Sequence, residues 1–138
     1  MNREEIKKFL PHREPMLLVD NIDFDGEICK ANYHVTGEEF FVQGHFPGNP
    51  VVPGVIQCEI MAQSCALFLG DDIIGKTPLY AGIDKVRFKR VVKPGDTIEI
   101  EAKILSQRGN LYQFDAKATV EGELCVKGIL SFMLIDKQ

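Results

Sequence analysis

The chain has 138 residues, 45% of them hydrophobic and 26% charged, and its formal net charge is −4 at pH 7. This length and balance predict one globular domain spanning residues 1–138. The acidic net charge argues against nucleic acid as a partner. No run of 18 apolar residues is available to cross a membrane, and the charged N-terminus lacks the apolar core of a signal peptide. We therefore expect a cytoplasmic protein with no membrane insertion.

The N-terminal part of the chain is predicted to form a helix, two strands and a long loop. Asn2 and Glu5 have the spacing of a capping box, which starts a helix. Asp25-Gly26 marks a tight turn between two strands. In chain order, the predicted elements are a helix over 2–10, a first strand that begins with the apolar run 16–19, a second strand near 27–36, and an irregular loop over 37–53.

The C-terminal part is predicted to form a hairpin-rich sheet, because turn residues separate four further apolar segments. Apolar and charged residues alternate over 98–104, which is typical of a half-buried antiparallel strand. The predicted strands are 79–92, 97–107, 111–120 and 124–135.

One long helix is predicted over about 53–69, with Pro53 suited to its first turn. Its residues are apolar on nearly every side, and a helix of that kind is buried. One buried helix and about six antiparallel strands indicate an α+β fold in which the sheet wraps around the helix.

Four cysteines are predicted to be buried and chemically inert. Their spacings match no metal knuckle, and two that share the long helix lie too far apart to form a disulfide. Free thiols fit a reducing compartment. These residues are Cys29, Cys58, Cys65 and Cys125.

Glu59 is a carboxylate in the middle of the predicted buried helix. An ionised, unpaired carboxylate in such a place costs several kcal/mol. We therefore expect a raised pKa for Glu59, which suits a general acid. The alternative is a structural carboxylate paired with a nearby arginine or lysine. Gln63 lies on the same helical face, one turn later.

His45 lies in the segment 43–50, where glycines and prolines fix an unusual backbone path. Histidine is the side chain best suited to general-base work near neutral pH, although a loop histidine can also be structural. His34 is expected to be exposed, and His12 to serve packing or capping near the first helix. Gly54 begins the long helix, where free backbone N–H groups stabilise negative charge on an oxygen. A base, an acid and such a donor suit proton abstraction beside a thioester carbonyl, but they do not name a substrate.

The segment His45-Phe46-Pro47-Gly48-Asn49-Pro50-Val51-Val52-Pro53-Gly54-Val55, followed by Glu59 and Gln63, resembles the signature of the FabZ-type 3-hydroxyacyl-acyl-carrier-protein dehydratases. Segments 10–13, 17–20, 82–88 and 94–96 extend the resemblance over nearly the whole chain. It implies a hot-dog fold and a hydro-lyase of fatty acid biosynthesis, a part of lipid metabolism. The implied reaction converts (3R)-3-hydroxyacyl-acyl-carrier-protein to trans-2-enoyl-acyl-carrier-protein, with no metal and no redox cofactor. The implied assembly is a homodimer with shared active sites, extended to a homohexamer as a trimer of dimers.

The resemblance also implies a role for each matching residue. His45 removes the C2 proton, and Glu59, helped by Gln63, protonates or positions the C3 hydroxyl. The N–H of Gly54 binds the thioester oxygen, and the backbone of Val51 helps to hold substrate or water. The acyl tunnel is expected to be lined by Phe46, Ile56, Ile60 and Leu79 or their neighbours.

A cluster of basic residues provides a candidate docking surface for the acidic acyl carrier protein. Lys85, Arg87 and Lys89 are predicted to alternate onto one face of a strand. An acidic enzyme needs such a local cationic patch to attract an acidic partner. The alternative is a solvated outer face with no partner.

Three other functions are weighed against the dehydratase. A bifunctional dehydratase-isomerase shares part of the motif but usually carries aspartate where Glu59 stands. A hot-dog hydratase or thioesterase acting on acyl-CoA usually lacks the combined motif. A non-catalytic acyl-sensing module should have lost His45 or Glu59, and both are present. The sequence therefore favours the dehydratase.

Overall fold

The computed structural model describes residues 1–44, 46 and 48–136, and the predicted site residue His45 lies outside the described residues. No helix in the described ranges is long and apolar enough to span a membrane. The elements in these ranges are α1 (Arg3–Ile6), β1 (Asn21–Phe24), β2 (Ile28–His34), α2 (Phe40–Gln43), α3 (Gly54–Gln63), a 3₁₀ helix (Ala66–Ile73), β3 (Lys76–Phe88), β4 (Thr97–Arg108), β5 (Leu111–Val120) and β6 (Glu123–Asp136).

The six strands form one antiparallel sheet in the order β1-β2-β4-β5-β6-β3. Apolar residues alternate with polar ones along β4 and β5, so one face of the sheet carries the core. Helix α3 packs against β4, β5 and β6, and Ile60 and Met61 at its centre are fully buried. The predicted α+β arrangement of a sheet around one buried helix is confirmed.

The buried helix is shorter than the predicted 53–69. Helix α3 ends at Gln63, and the chain continues through a turn into the 3₁₀ helix. The hydroxyl of Ser64 donates to the carbonyl oxygen of Ile60 at 2.7 Å, and such bonds to the preceding turn bend helices. Gly70, at φ 55°, then breaks the helical path completely.

The N-terminal segment differs from the prediction in one place. The capping box is present, since the Asn2 side chain accepts the Glu5 N–H at 3.0 Å, although α1 covers only Arg3–Ile6. Residues 16–19 do not form a strand, and Leu17, Leu18 and Val19 are nevertheless buried. The first strand starts two residues later, at Asn21.

Strand β3 lies at an edge of the sheet and contains a β-bulge. The pairing with β6 runs from Asp84 opposite Ile129 to Arg87 opposite Lys127, so two residues of β3 face Gly128 alone. Lys85 has φ 53° there, and a Cβ on Gly128 would lie 2.6 Å from Val86 Cγ2. The predicted alternation of the three basic residues is therefore broken by the bulge.

The remaining surface and thiol predictions agree with the structure. All four cysteines are free and buried, as expected for inert apolar side chains. His34 is exposed, as predicted, and its Nδ1 lies 2.8 Å from the Thr97 hydroxyl.

Candidate active site

The carboxylate of Glu59 lies on α3, with its side chain 19% exposed. Gln63, one turn further along the helix, donates from Nε2 to Glu59 Oε2 at 2.9 Å. His12 approaches from the segment after α1 and places Nε2 3.3 Å from the same oxygen. The Gln63 amide and the His12 imidazole therefore both contact one carboxylate oxygen, and neither is the arginine or lysine that the structural alternative required.

Both the oxygen and the nitrogen of the Gln63 side-chain amide make hydrogen bonds. Its side chain is 1% exposed; Oε1 accepts the Leu18 N–H at 2.7 Å, and Nε2 donates to the Met16 carbonyl at 2.7 Å. Because the oxygen must face an N–H and the nitrogen a C=O, the orientation of the amide is fixed. Gln63 thus ties α3 to the segment 16–18 and holds Glu59 in place.

The pKa of Glu59 is lowered from its ordinary value, which is opposite to the prediction. Burial is the largest influence and raises the pKa, but the lowering influences, led by the hydrogen-bonding contacts with His12 and Gln63, outweigh it. The expectation of a raised pKa is wrong because it counted burial without these partners. Glu59 is ionised at neutral pH.

A cavity of about 60 Å³ lies beside Glu59, between α3, the 3₁₀ helix and the sheet. Tyr80 forms part of its wall, and its hydroxyl donates to the Cys58 carbonyl at 3.1 Å. Burial, with the nearby Glu59 charge, raises the pKa of Tyr80, so the phenol stays neutral. The cavity is lined by Leu10, His12, Glu59, Ala62, Gln63, Cys65, Ala66, Leu69, Ile73, Pro78, Tyr80, Phe114 and Phe132. None of the four residues expected to line a tunnel is among them.

Gly54 and Val51 lie in a second place, an open groove of about 450 Å³ that also contains Lys89. Gly54 is the first residue of α3, where backbone N–H groups lie outside the helical ladder. A Cβ on Gly54 would lie 2.8 Å from Cε1 of Phe88, so only glycine allows this ring to rest on the helix start.

The structure therefore sorts the predicted site residues into two groups. Glu59 and Gln63 meet in the cavity, whereas Gly54 and Val51 meet in the groove. Lys85, Arg87 and Lys89 are all exposed. Sequence reasoning missed His12 and Tyr80 as neighbours of Glu59, because no local pattern signals a contact between distant segments; His12 was instead expected to pack or cap near the first helix.

Comparison with known proteins identifies the family. The family model described as FabA-like domain matches residues 10–128. The 3-hydroxyacyl-[acyl-carrier-protein] dehydratase FabZ of Caldicellulosiruptor bescii is 47% identical over 137 residues, which cover 96% of this chain and 98% of that protein. The FabZ of Clostridium perfringens strain SM101 is also 47% identical, covering 97% and 99%. The chain belongs to the FabZ family.

Solved structures confirm the predicted hot-dog fold of this FabZ family member. The dehydratase heterocomplex ApeI:P from Xenorhabdus doucetiae matches with a TM-score of 0.83 at 20% identity, covering 96% of this chain and 91% of that one. A mutant of the fluoroacetyl-CoA-specific thioesterase FlK, in complex with fluoroacetate and CoA, matches with a TM-score of 0.68 at 18% identity, covering 83% and 96%. At such identities the likeness concerns the fold alone.

Replacing Gln63 with methionine should lower the free energy of unfolding by about 2–4 kcal/mol. The change leaves the buried N–H of Leu18 without a partner, at about 1–3 kcal/mol, and removes the part-buried bond to the Met16 carbonyl, at about 1 kcal/mol. The measurement is urea denaturation at one fixed protein concentration, so that association contributes equally to every variant.

Gln57→Met is the matched control. Gln57 is 4% exposed, makes one bond of 3.3 Å to the Val52 carbonyl, and has a buried Oε1 without a partner among the described residues. Its loss should therefore change the free energy of unfolding by less than about 1 kcal/mol. Equal losses in the two variants would contradict the anchoring role of Gln63.

Proposed function

We infer that this protein is a hydro-lyase that dehydrates (3R)-3-hydroxyacyl chains on acyl carrier protein to trans-2-enoyl chains, in fatty acid biosynthesis. The observation that carries this inference is the near-full-length match to FabZ dehydratases, at 47% identity over 137 residues. The site is compatible with it, since one carboxylate stands at an otherwise largely apolar cavity.

His45 is the proposed base and Gly54 the proposed oxyanion donor. His45 takes the C2 proton, and the electron pair of the broken C–H bond moves into the thioester, whose oxygen is stabilised by the N–H of Gly54. The C2=C3 double bond then forms as the C3–O bond breaks. The proton taken by His45 is returned to the departing hydroxyl, which leaves as water, so that no proton is gained or lost overall.

Glu59 positions the C3 hydroxyl in this mechanism and does not protonate it. Its lowered pKa makes it a carboxylate at neutral pH, and a carboxylate accepts the O–H of the substrate as a hydrogen bond. Of the two roles implied by the family resemblance, the electrostatics of this chain support positioning. The backbone of Val51 assists in holding substrate or water.

The active protein is proposed to be a homodimer with shared active sites, arranged further as a trimer of dimers. Strand β3 pairs only with β6 among the described residues, which leaves a long strand edge open to another chain. The exposed apolar residues near this edge include Leu79, Ile83, Phe88 and Val91. A second chain would also join the cavity of Glu59 to the groove of Gly54, which one chain keeps apart.

The acyl carrier protein is proposed to dock at Lys85, Arg87 and Lys89. All three are exposed, and Lys89 lies in the groove beside Gly54, where the thioester would be held. The bulge turns Lys85 out of the regular strand alternation, so the patch is a cluster around the bulge and not a single strand face.

His45→Ala and Glu59→Gln should each lower the rate of dehydration by a factor on the order of 10²–10⁴, as expected for groups acting on the reacting atoms. The assay incubates each variant with 3-hydroxyacyl-carrier-protein thioesters and identifies the product by its mass and double-bond position. His34→Ala, an exposed histidine outside the site, is the control and should keep wild-type activity. A wild-type protein that forms no 2-enoyl product would overturn the proposed function.

Reversing charge at Lys85, Arg87 and Lys89 should weaken the use of carrier-protein substrates and spare N-acetylcysteamine thioesters. Electrostatic attraction acts mainly on association and is screened by salt, so kcat/KM should fall most at low ionic strength. The control reverses three exposed lysines elsewhere, Lys8, Lys30 and Lys103, for the same change in net charge. Equal losses on both kinds of substrate would remove the docking proposal.

Co-expression of His45→Ala and Glu59→Ala chains should restore activity from two inactive parents. If the sites are shared, each mixed dimer carries one intact site. Random pairing makes about half of the dimers mixed, so about a quarter of wild-type activity should return. Differential tags establish that mixed dimers form. A site contained within one chain predicts no recovery at any mixing ratio.

A further inference from the structure

We propose that His12 is a positioning residue for this reaction: its neutral imidazole donates the Nε2 proton to Glu59 Oε2 and keeps the carboxylate ionised and fixed. The role deepens the proposed dehydration and rests on it, since it concerns the carboxylate that holds the C3 hydroxyl. His12 itself is not assigned any contact with substrate.

The backbone around His12 is held in place before any substrate arrives. The guanidinium of Arg13 folds back onto the chain and donates to the carbonyls of Leu10 at 2.8 Å, His12 at 2.7 Å and Lys7 at 3.1 Å. The side chain of Leu10 is buried at 3% exposure and anchors the segment in the core. The imidazole is therefore presented to Glu59 from a fixed backbone, as preorganisation requires.

The second ring nitrogen indicates the protonation state of His12. Its Nδ1 is buried and has no hydrogen-bond partner within the described part of the chain. A charged ring would place a second N–H there with no acceptor, which is more costly than an unused lone pair. The neutral tautomer with its proton on Nε2 suits both ring nitrogens, because Nε2 lies 3.3 Å from the carboxylate oxygen Oε2 of Glu59 and Nδ1 then carries no proton.

Among the described residues, the other titratable groups that face Glu59 are Tyr80 from β3 and Cys58 from α3, with Cys65 in the same cavity. Burial raises the pKa of each of these groups, so all three are neutral at physiological pH. No lysine or arginine is among the cavity's described lining residues. The ionised state of Glu59 therefore depends on its hydrogen-bond donors, of which His12 is the one that comes from the N-terminal segment.

The direction in which the pKa of Glu59 should change without His12 follows from the two opposing influences on it, burial and hydrogen bonding. Removing His12 removes a stabilising donor and leaves the burial of the carboxylate opposed mainly by Gln63, so the pKa of Glu59 rises. A raised pKa means that the carboxylate becomes protonated at a higher pH than in the wild type. The loss of activity should therefore be largest in acid and disappear as the pH rises, whereas a merely structural loss would be independent of pH.

The test compares His12→Ala, His12→Gln and the control His34→Ala. A ¹³C NMR titration of the Glu59 carboxyl measures its pKa without reference to activity, and kcat/KM is measured against pH with a 3-hydroxyacyl-carrier-protein thioester. His12→Ala should raise the pKa by about one unit, which corresponds to a tenfold change in ionisation. Relative to the wild type, its kcat/KM should fall progressively as the pH is lowered, approach a tenfold loss only below both pKa values of Glu59, and return close to wild type near pH 8. His12→Gln, which offers an uncharged N–H donor, should bring both the Glu59 pKa and kcat/KM most of the way back to wild type. His34→Ala should change neither the pKa nor kcat/KM.

The inference is overturned if His12→Ala leaves the Glu59 titration unchanged, if its loss of activity does not depend on pH, or if His12→Gln behaves like His12→Ala. In a Glu59→Gln background, His12→Ala should have no further effect on the residual pH profile, and an added effect would also overturn it. A failure of the proposed function would give a different experimental result. In that case the wild type yields no enoyl product, while the NMR titration still reports whether His12 controls Glu59.

Discussion

The buried amide of Gln63 joins three parts of the molecule that the chain order keeps apart. It binds the backbone at Met16 and Leu18, anchors that segment to α3, and donates to the carboxylate of Glu59. Because Leu17, Leu18 and Val19 are buried without strand pairing, the backbone of this segment needs such a partner. One side chain thus holds the N-terminal segment in place and orients the carboxylate, so the site depends on the same contact as the fold.

The strands were predictable from sequence because their patterns are local, whereas two irregularities were not. Alternation over 98–104 depends only on neighbouring residues, and β4 follows it. The bulge at Lys85 depends on a glycine across the sheet, at position 128, that leaves room for Val86. The end of α3 was also not predictable, since the residues after Ser64 continue the apolar pattern while the backbone changes to a 3₁₀ path.

The sequence identified Glu59 as the unusual carboxylate but predicted the wrong direction for its pKa. A helical wheel shows that a residue is buried, and burial alone favours the neutral acid. It does not show which donors face the carboxylate from other segments, and His12 lies 47 positions earlier. These partners reverse the predicted direction of the pKa, and the role we propose for Glu59 is accordingly that of a hydrogen-bond acceptor and not of a proton donor.

The geometry of α3 gives a physical reason for a site made by two chains. Gly54 and Glu59 are five residues apart on one helix, which turns them about 140° away from each other around its axis. The N–H of Gly54 points along the axis from the start of the helix, whereas the Glu59 carboxylate extends from its side more than one turn later. Within one chain the two groups lie in a groove and a cavity that share no lining residue. Two copies of α3 related by a two-fold axis avoid this separation, because the Gly54 side of one can face the Glu59 side of the other. The separation of groove and cavity within one chain is what the proposed shared site requires, and the open edge of β3 offers a place where a second chain could join.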